Sequence, residues 1–322
     1  MRSLALPGLQ TKVSTIALGT AAFGSLVTPN ESFAMLDAFV DAGGTLIDTA
    51  HVYADWLGGE RHLSEKNLGA WLKRRGNFDD VVIATKGGHP DLSSPLAPRL
   101  SPADIVYDLD ESLRCLGVQR IDLYYLHRDD PARPVAEIME VLGCQVQLGK
   151  IGAIACSNWQ VARIAEAQSY ANAAGLPAFV ASQAFWSLAI ANPGAFAADH
   201  ALIDDAALHF YAAQSMPVVA YTSQARGFFS KAARDGIDRL NPDLRAAFEN
   251  AENLARLDRA KVLALQLGVP VSAIVLAYLT SQTVIGIPVI GPMSMAQLQD
   301  SLGAADLTLT IEQVRFLMGK VD

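Results

Sequence analysis

Short apolar runs recur along the chain and alternate with longer segments in which apolar residues repeat at helical spacing. Such runs are typical of strands in a buried parallel sheet, and the segments between them predict connecting helices. The runs predict eight strands, over residues 15–18, 45–47, 81–84, 121–126, 152–155, 178–181, 218–220 and 284–287. An N-terminal β-hairpin is predicted over residues 4–13.

Helix start and stop signals support the same alternation. Ser101 can cap a helix that has Pro102 at its first position and ends at Gly117. Further helices are predicted over residues 32–41, 64–73, 134–148, 161–174 and 272–281. Strand-helix repeats of this number predict an α/β fold, a closed (β/α)8 TIM barrel, and the absence of a GxGxxG motif after the first strand argues against a doubly wound sheet.

The connections are not all short. Residues 185–215 and 228–259 exceed a simple connection, so we expect extended loops with extra helices at the C-terminal face of the barrel. No linker or low-complexity block interrupts the chain, and we expect one domain over residues 1–322.

Charge and composition narrow the class of partner. The formal net charge is −8, and the longest basic run is residues 73–75, so nucleic acid is not an expected partner. Three cysteines without metal-type spacing predict reduced thiols in a cytoplasmic protein. The uncharged stretch 262–299 is broken by glycine and proline below the ~20 residues of a membrane span, so it predicts a buried helix and strand and no membrane association.

Polar residues follow three successive predicted strands, where the functional face of a barrel lies. Asp48 follows the second strand, Tyr53 comes five residues later, Lys86 closes the third and His127 closes the fourth. Each residue alone has a structural explanation. The Asp could cap the next helix, the Lys could extend its apolar stem to reach solvent, the Tyr ring could pack in the core, and the His could be a buried residue with its hydrogen bonds satisfied. Packing gives no reason for these four types to converge, so together they predict a catalytic group.

The ordered motifs of this chain resemble those of the aldo-keto reductase family over nearly its whole length. The matching segments are Gly19-Thr20-Ala21, Asp48-Thr49-Ala50 with Tyr53, Ser64-Glu65, Thr85-Lys86, Asp122 to His127, Ser157-Asn158, Gln183, Tyr221 and Ile287 to Gly291. The resemblance implies an oxidoreductase that transfers a hydride between a nicotinamide cofactor and an aldehyde, ketone or sugar carbonyl, or the corresponding alcohol.

The resemblance also implies a role for each catalytic residue. Tyr53 would donate the proton that the developing alkoxide needs. Lys86 would favour the ionised phenol and bring proton transfer nearer neutral pH, and Asp48 would hold the Lys86 ammonium. A neutral His127 would orient the carbonyl oxygen.

The cofactor that the resemblance implies is NADP(H), with NAD(H) as the alternative. Ser157, Asn158 and Gln183 match residues that hydrogen-bond the nicotinamide carboxamide, and Tyr221 matches the aromatic residue that stacks on the ring. The other expected cofactor residues are Gly19, Thr20, Asp48, Thr222, Ser223, Gln224, Gly291, Met293, Ser294, Gln297 and Ser301.

Three positions depart from the family pattern. Residues 222–224 are Thr-Ser-Gln where many members have Ser-Pro-Leu, Met293 stands where an Arg is frequent, and Ser301 stands where Asn is usual. The missing guanidinium predicts a weak preference for NADPH or acceptance of both cofactors, unless Arg226 or Arg234 reaches the 2′-phosphate from another loop.

The substrate is expected to be a small carbonyl or alcohol compound, and two other functions remain open. The residues expected to contact the substrate are Phe23, Tyr53, Trp56, His127 and Trp159. No metal site is expected, because His51, His62 and His89 have no partners at zinc-like spacing. The alternatives are a regulatory subunit resembling potassium-channel β-subunits, and a metal-dependent sugar isomerase on the same barrel.

Overall fold

The structure is a computed structural model and describes residues 1–76 and 79–320. It begins with an antiparallel hairpin of β1 (Ser3–Leu4) and β2 (Val13–Ser14). Leu6 and Val13 of this hairpin are buried against side chains from inside the barrel. The predicted N-terminal hairpin is therefore confirmed, and it covers one end of the barrel interior.

Eight parallel strands close into a barrel, in which the last strand pairs with both the first and the seventh. The strands are β3 (Ala17–Gly19), β4 (Leu46–Asp48), β5 (Val82–Gly87), β6 (Ile121–Leu126), β7 (Ile151–Ser157), β8 (Ser182–Phe185), β9 (Val218–Tyr221) and β10 (Gly286–Ile290). The predicted (β/α)8 TIM barrel is confirmed.

Three strands begin at least two residues later than their apolar runs indicate. The strand predicted over 15–18 is β3, which begins at Ala17 and ends at Gly19. The strand predicted over 178–181 is wrong, since β8 begins at Ser182, which lies opposite Cys156 of β7. The strand predicted over 284–287 begins two residues later and ends at Ile290. In β8 the cause is polarity within the strand: Ser182 accepts a hydrogen bond from Tyr211 and Gln183 lines the cavity described below, so the apolar run marks only the approach to the strand.

Helices connect the strands and cover the outside of the barrel. The described residues form α1 (Pro29–Asp41), α2 (Leu63–Arg75), α3 (Pro102–Leu116), α4 (Val135–Gln147), α5 (Val161–Ala174), α6 (Asp205–Ala213), α7 (Phe228–Asp235), α8 (Pro242–Phe248), α9 (Ala251–Leu267), α10 (Val271–Thr280), α11 (Met295–Leu302) and α12 (Ile311–Leu317).

The predicted caps are confirmed where they can be compared. Ser101 caps α3, and Gly117 ends it with a φ of 69°, a left-handed conformation that glycine adopts without strain. Helix α1 begins before the predicted residue 32, because Thr28 and Glu31 form a capping box. The extra helices expected in the two long stretches are α6 in the first, and α7, α8 and the start of α9 in the second.

Two apolar cores hold the fold together. One fills the barrel interior, and the larger one lies between the strands and the surrounding helices. No single helix among the described residues is long and apolar enough to cross a membrane; α9 and α10 together have the length and composition but are bent by 99°. The cores leave the carboxyl ends of the strands open to the loops, which is where the polar residues gather.

Candidate active site

The carboxyl ends of β4 and β5 bring three of the predicted catalytic side chains together. The Lys86 ammonium lies 2.7 Å from Asp48 Oδ2, 2.7 Å from the Thr49 carbonyl oxygen and 3.0 Å from the Tyr53 hydroxyl. These contacts engage all three N–H donors of the ammonium. Lys86 is fully buried, so its position is fixed by both packing and hydrogen bonds.

Burial and charge set the protonation of this group. Burial by itself would lower the pKa of Lys86, but Asp48 and Tyr53 outweigh it and raise that pKa above its usual value. Burial raises the pKa of Tyr53, although the Lys86 charge acts in the opposite direction. Lys86 lowers the pKa of Tyr53, as expected, but burial raises it by more, so the net pKa lies above the usual value. The phenol therefore keeps its proton at neutral pH.

His127 follows β6 directly and faces the Tyr53 ring edge-on, with the ring centroids 6.0 Å apart. Burial lowers the pKa of His127 well below its usual value, and the neighbouring His89, Lys86 and Arg128 act in the same direction. Within the described residues its Nδ1 has no hydrogen-bond partner. The side chain is therefore a neutral imidazole, as expected from the sequence.

The ends of β7, β8 and β9 add an amide and hydroxyl network. The Gln183 side-chain amide donates to Asp48 Oδ1 at 2.8 Å, so Asp48 is bound on both oxygens. Asn158, with a left-handed φ of 60°, donates to the His127 carbonyl oxygen at 3.3 Å and accepts from the Tyr221 hydroxyl at 2.7 Å. Together with the hydrogen bond from the Asn158 N–H to the Gln183 carbonyl oxygen, these contacts join the ends of five strands, β4, β6, β7, β8 and β9.

A cavity of about 1050 Å³ opens above these strand ends. At one end its wall includes Asp48, Tyr53 and His127, and it also includes Gly291 and Gln297 at the opening of α11. A volume at the top of the range for small-ligand pockets is sufficient for a molecule larger than a simple aldehyde.

Comparison with known proteins identifies the family. A profile of the Aldo/keto reductase family matches residues 15–321. The chain belongs to the aldo-keto reductase family. An aldo-keto reductase of Aspergillus calidoustus is 29% identical over 97% of this chain and 79% of its own length. A norsolorinic acid reductase of Emericella nidulans is 30% identical over 94% of this chain and 77% of its own length. An aryl-alcohol dehydrogenase (NADP(+)) of Phanerodontia chrysosporium is 32% identical over 56% of this chain and 50% of its own length. Family membership and these oxidoreductase relatives support carbonyl oxidoreduction.

Most of the expected cofactor residues of this aldo-keto reductase line the cavity. They are Gly19, Asp48, Ser157, Asn158, Gln183, Tyr221, Thr222, Ser223, Gln224, Gly291, Met293, Gln297 and Ser301. Thr20 lies behind the wall, where its hydroxyl donates to the Asp48 carbonyl oxygen at 3.0 Å. Ser294 caps α11 by accepting from the Gln297 N–H, so its contribution is to the start of that helix.

The expected substrate residues are divided between the cavity and the core. Tyr53 and His127 line the cavity, and Trp56 is half exposed with its ring edge-on to Tyr53 at 5.9 Å. Phe23 and Trp159 are buried instead. Trp159 packs edge-on against Phe179, and its indole N–H donates to the Arg128 carbonyl oxygen at 3.2 Å.

The cavity wall also contains four basic side chains, of which Arg128 and Lys231 have no motif in the sequence that indicates them. Arg128 follows His127 directly and forms an ion pair with Asp199 at 2.9 Å, which joins two loops beside the cavity. Arg226, Lys231 and Arg234 approach from the segment after β9. Arg226 and Arg234 are the two arginines that could reach the 2′-phosphate from another loop, and the fold brings both to the cavity. Lys231 has no strand-end position, which is why no pattern indicates it.

Possible metal ligands do not converge in the described residues. Across residues 1–76 and 79–320, no group of three or more His, Cys, Asp or Glu side chains has an arrangement that could hold a metal ion. His51 and His62 stack on each other, with centroids 3.8 Å apart, and His89 lies edge-on to His127 at 4.8 Å.

Proposed function

We propose that this chain is a nicotinamide-dependent oxidoreductase that interconverts an aldehyde or ketone with the corresponding alcohol. The observation that carries the proposal is the contact of Lys86 with both Asp48 and Tyr53 at the wall of the large cavity. A proton donor beside a fixed positive charge is what carbonyl reduction requires, because negative charge develops on the carbonyl oxygen.

The residues around the cavity fit a dinucleotide. Ser157, Asn158 and Gln183 supply buried amide and hydroxyl groups for a carboxamide at the catalytic end. At the other end, a Cβ placed on Gly291 would have no neighbour within 4 Å, and the first turn of α11 offers backbone N–H groups to an anion. A bound nicotinamide cofactor would supply the hydride for the carbonyl carbon.

The protein's own residues handle the proton. Tyr53 donates its hydroxyl proton to the carbonyl oxygen as that oxygen becomes an alkoxide, and the phenolate left behind faces the Lys86 ammonium 3.0 Å away. Asp48 keeps that ammonium charged and in place. His127, being neutral, donates one N–H to the same oxygen and orients it. A proton from solvent then restores Tyr53, and alcohol oxidation runs through the same steps in reverse.

NADP(H) is the proposed cofactor. Arg226, Lys231 and Arg234 give the cavity wall three cationic side chains, which favour an additional phosphate. One relative carries NADP(+) in its name, in agreement with this choice. An aromatic carbonyl compound is the proposed substrate class, because the half-exposed Trp56 ring adjoins Tyr53 and relatives are named for aryl-alcohol and norsolorinic acid.

The test is turnover of aromatic aldehydes, aliphatic aldehydes, ketones and aldoses with NADPH and with NADH, followed by the loss of nicotinamide absorbance. Cofactor binding is measured in parallel by fluorescence titration. We expect tight NADPH binding and turnover of at least one aromatic aldehyde. Tight binding with no turnover across the panel would refute the enzymatic proposal and favour the regulatory alternative. Turnover that chelators abolish would favour the metal-dependent alternative.

A further inference from the structure

A buried group of acids and imidazoles lies behind the loop that carries Tyr53. His51 is on this loop, two residues before Tyr53, and is buried. Its backbone N–H donates to the Lys86 carbonyl oxygen at 3.0 Å. His51 therefore connects the segment after β4 to the strand that positions the catalytic ammonium, without reaching the cavity wall itself.

One side of the His51 ring faces Glu65 of α2. The Glu65 side chain is fully buried, and its Oε1 accepts a hydrogen bond from the Thr85 hydroxyl at 2.6 Å. Its Oε2 has no hydrogen-bond partner among the described residues, and neither has His51 Nδ1, which lies 3.5 Å away. In the described part of the chain, His51 Nδ1 is the one ionisable side-chain nitrogen within 4 Å of this carboxylate. A buried carboxylate without a positive partner is strongly unfavourable, and a proton on Nδ1 removes that penalty.

The other ring nitrogen faces a second acid. His51 Nε2 lies 3.8 Å from Asp108 Oδ1 on α3. Asp108 is held by Arg99 at 2.7 Å and by the Gly88 N–H at 2.8 Å, so it is fixed independently of His51. With a carboxylate on each side, each ring nitrogen lies within 4 Å of a carboxylate oxygen, an arrangement that suits an imidazolium.

The neighbouring His62 does not compete for the charge. Its ring stacks on His51, and its Nδ1 lies 2.7 Å from the His51 carbonyl oxygen, to which it donates. Burial lowers the pKa of His62, and a charge on His51 lowers it further. The charged and titratable groups around His51 come from its own loop, from α2, from β5, from α3 and from the segment before α3. They are Asp55, Arg61, His62, Glu65, Lys86, His89, Asp91, Arg99, Asp108 and Glu111.

We propose that His51 is a positioning residue: as an imidazolium between Glu65 and Asp108, it holds the segment from Asp48 to Tyr53 in its catalytic position. The charge fixes the loop to two helices outside the barrel. The kinetic test of this role rests on the function proposed above. The protonation state of His51 is measured without turnover and does not depend on that function.

Nitrogen NMR of the histidine side chains tests the charge directly. The chain has six histidines, and substitution of His51 identifies its signals. In the wild-type protein at neutral pH we expect both His51 nitrogens to show the shifts of an imidazolium, and in Glu65→Gln we expect the signals of a neutral ring. Neutral imidazole signals from His51 in the folded wild-type protein would overturn the proposal, whatever the enzyme's activity.

A double-mutant cycle tests the positioning role. We expect His51→Gln and Glu65→Gln each to lower kcat about ten- to a hundredfold through displacement of Tyr53, with little change in cofactor affinity. His51→Gln/Glu65→Gln removes both charges together, so it should lose much less than the product of the two single effects. Multiplicative losses would overturn the coupling, and so would unchanged kcat in both single variants. The exposed His209→Gln is the matched control and should leave kcat unchanged.

Discussion

Replacing Lys86 by Met tests how much of the catalysis depends on one buried charge. Met fills much of the same volume but has no ammonium, so Tyr53 loses the positive group 3.0 Å from its hydroxyl. We expect Lys86→Met to lower kcat for carbonyl reduction strongly. The phenolate that forms during proton transfer then has no compensating charge.

The distance sets the size of the effect. At 3.0 Å and an effective dielectric constant of about 20, Coulomb's law gives roughly 5.5 kcal/mol between a full phenolate and the ammonium. In the transition state the proton is only partly transferred, and about half of that energy corresponds to a rate loss of roughly a hundredfold. The pKa of Tyr53 should rise further once Lys86 no longer lowers it, because burial already raises it.

The assay is the pH profile of kcat with saturating NADPH. Reduction needs the protonated phenol, so activity falls as pH rises through the pKa of Tyr53. In Lys86→Met the plateau should drop and its alkaline limb should move to higher pH. Lys73→Met on the exposed surface of α2 is the matched control. A folded Lys86→Met protein with wild-type kcat and an unshifted alkaline limb would refute this reasoning.

Four further substitutions probe the cofactor end, the substrate end and the fold. Arg226→Ala should weaken NADPH binding about ten- to a hundredfold and leave NADH binding nearly unchanged, whereas Met293→Arg should shift selectivity toward NADPH; equal effects on both cofactors in fluorescence titrations would contradict this. Trp56→Ala should raise KM about three- to tenfold for an aryl aldehyde but not for a small aliphatic one, and an equal rise for both would argue against ring stacking. Gly69→Ala should lower the free energy of unfolding by about 1–3 kcal/mol. The new Cβ on α2 would press on the Cys115 carbonyl of α3 and lie 2.8 Å from the Leu116 carbonyl oxygen. An unchanged midpoint of urea unfolding would show that α2 and α3 separate easily.

The barrel could be predicted because its strands repeat one signal. Each is a short apolar run followed by a helical segment. The pattern is lost where polar residues that line the cavity replace apolar ones within a strand. In β8 the strand begins with Ser182 and Gln183, and an apolar pattern passes over such residues. The single domain over residues 1–322 and the cytoplasmic location stay predictions.

Three of the four proposed catalytic residues could be grouped from the sequence because Asp48, Lys86 and His127 lie at or directly after strand ends, whose direction follows from the fold. The positions of residues on long loops could not be predicted, because the direction of their side chains depends on how the loop packs. Trp159 follows β7 as a pocket residue would, yet it is buried on Phe179. Lys231 comes ten residues after Tyr221 and still lines the cavity, because α7 folds back over it.

The proton-donor role of Tyr53 is the central claim, and single-turnover reduction of an aromatic aldehyde tests it most directly. We expect Tyr53→Phe to lower the single-turnover rate at least about a hundredfold while NADPH affinity stays unchanged, because only the hydroxyl is lost. Tyr107→Phe, on the exposed face of α3, is the matched control and should react like the wild type. A folded Tyr53→Phe protein that reduces the aldehyde at the wild-type rate would contradict the account.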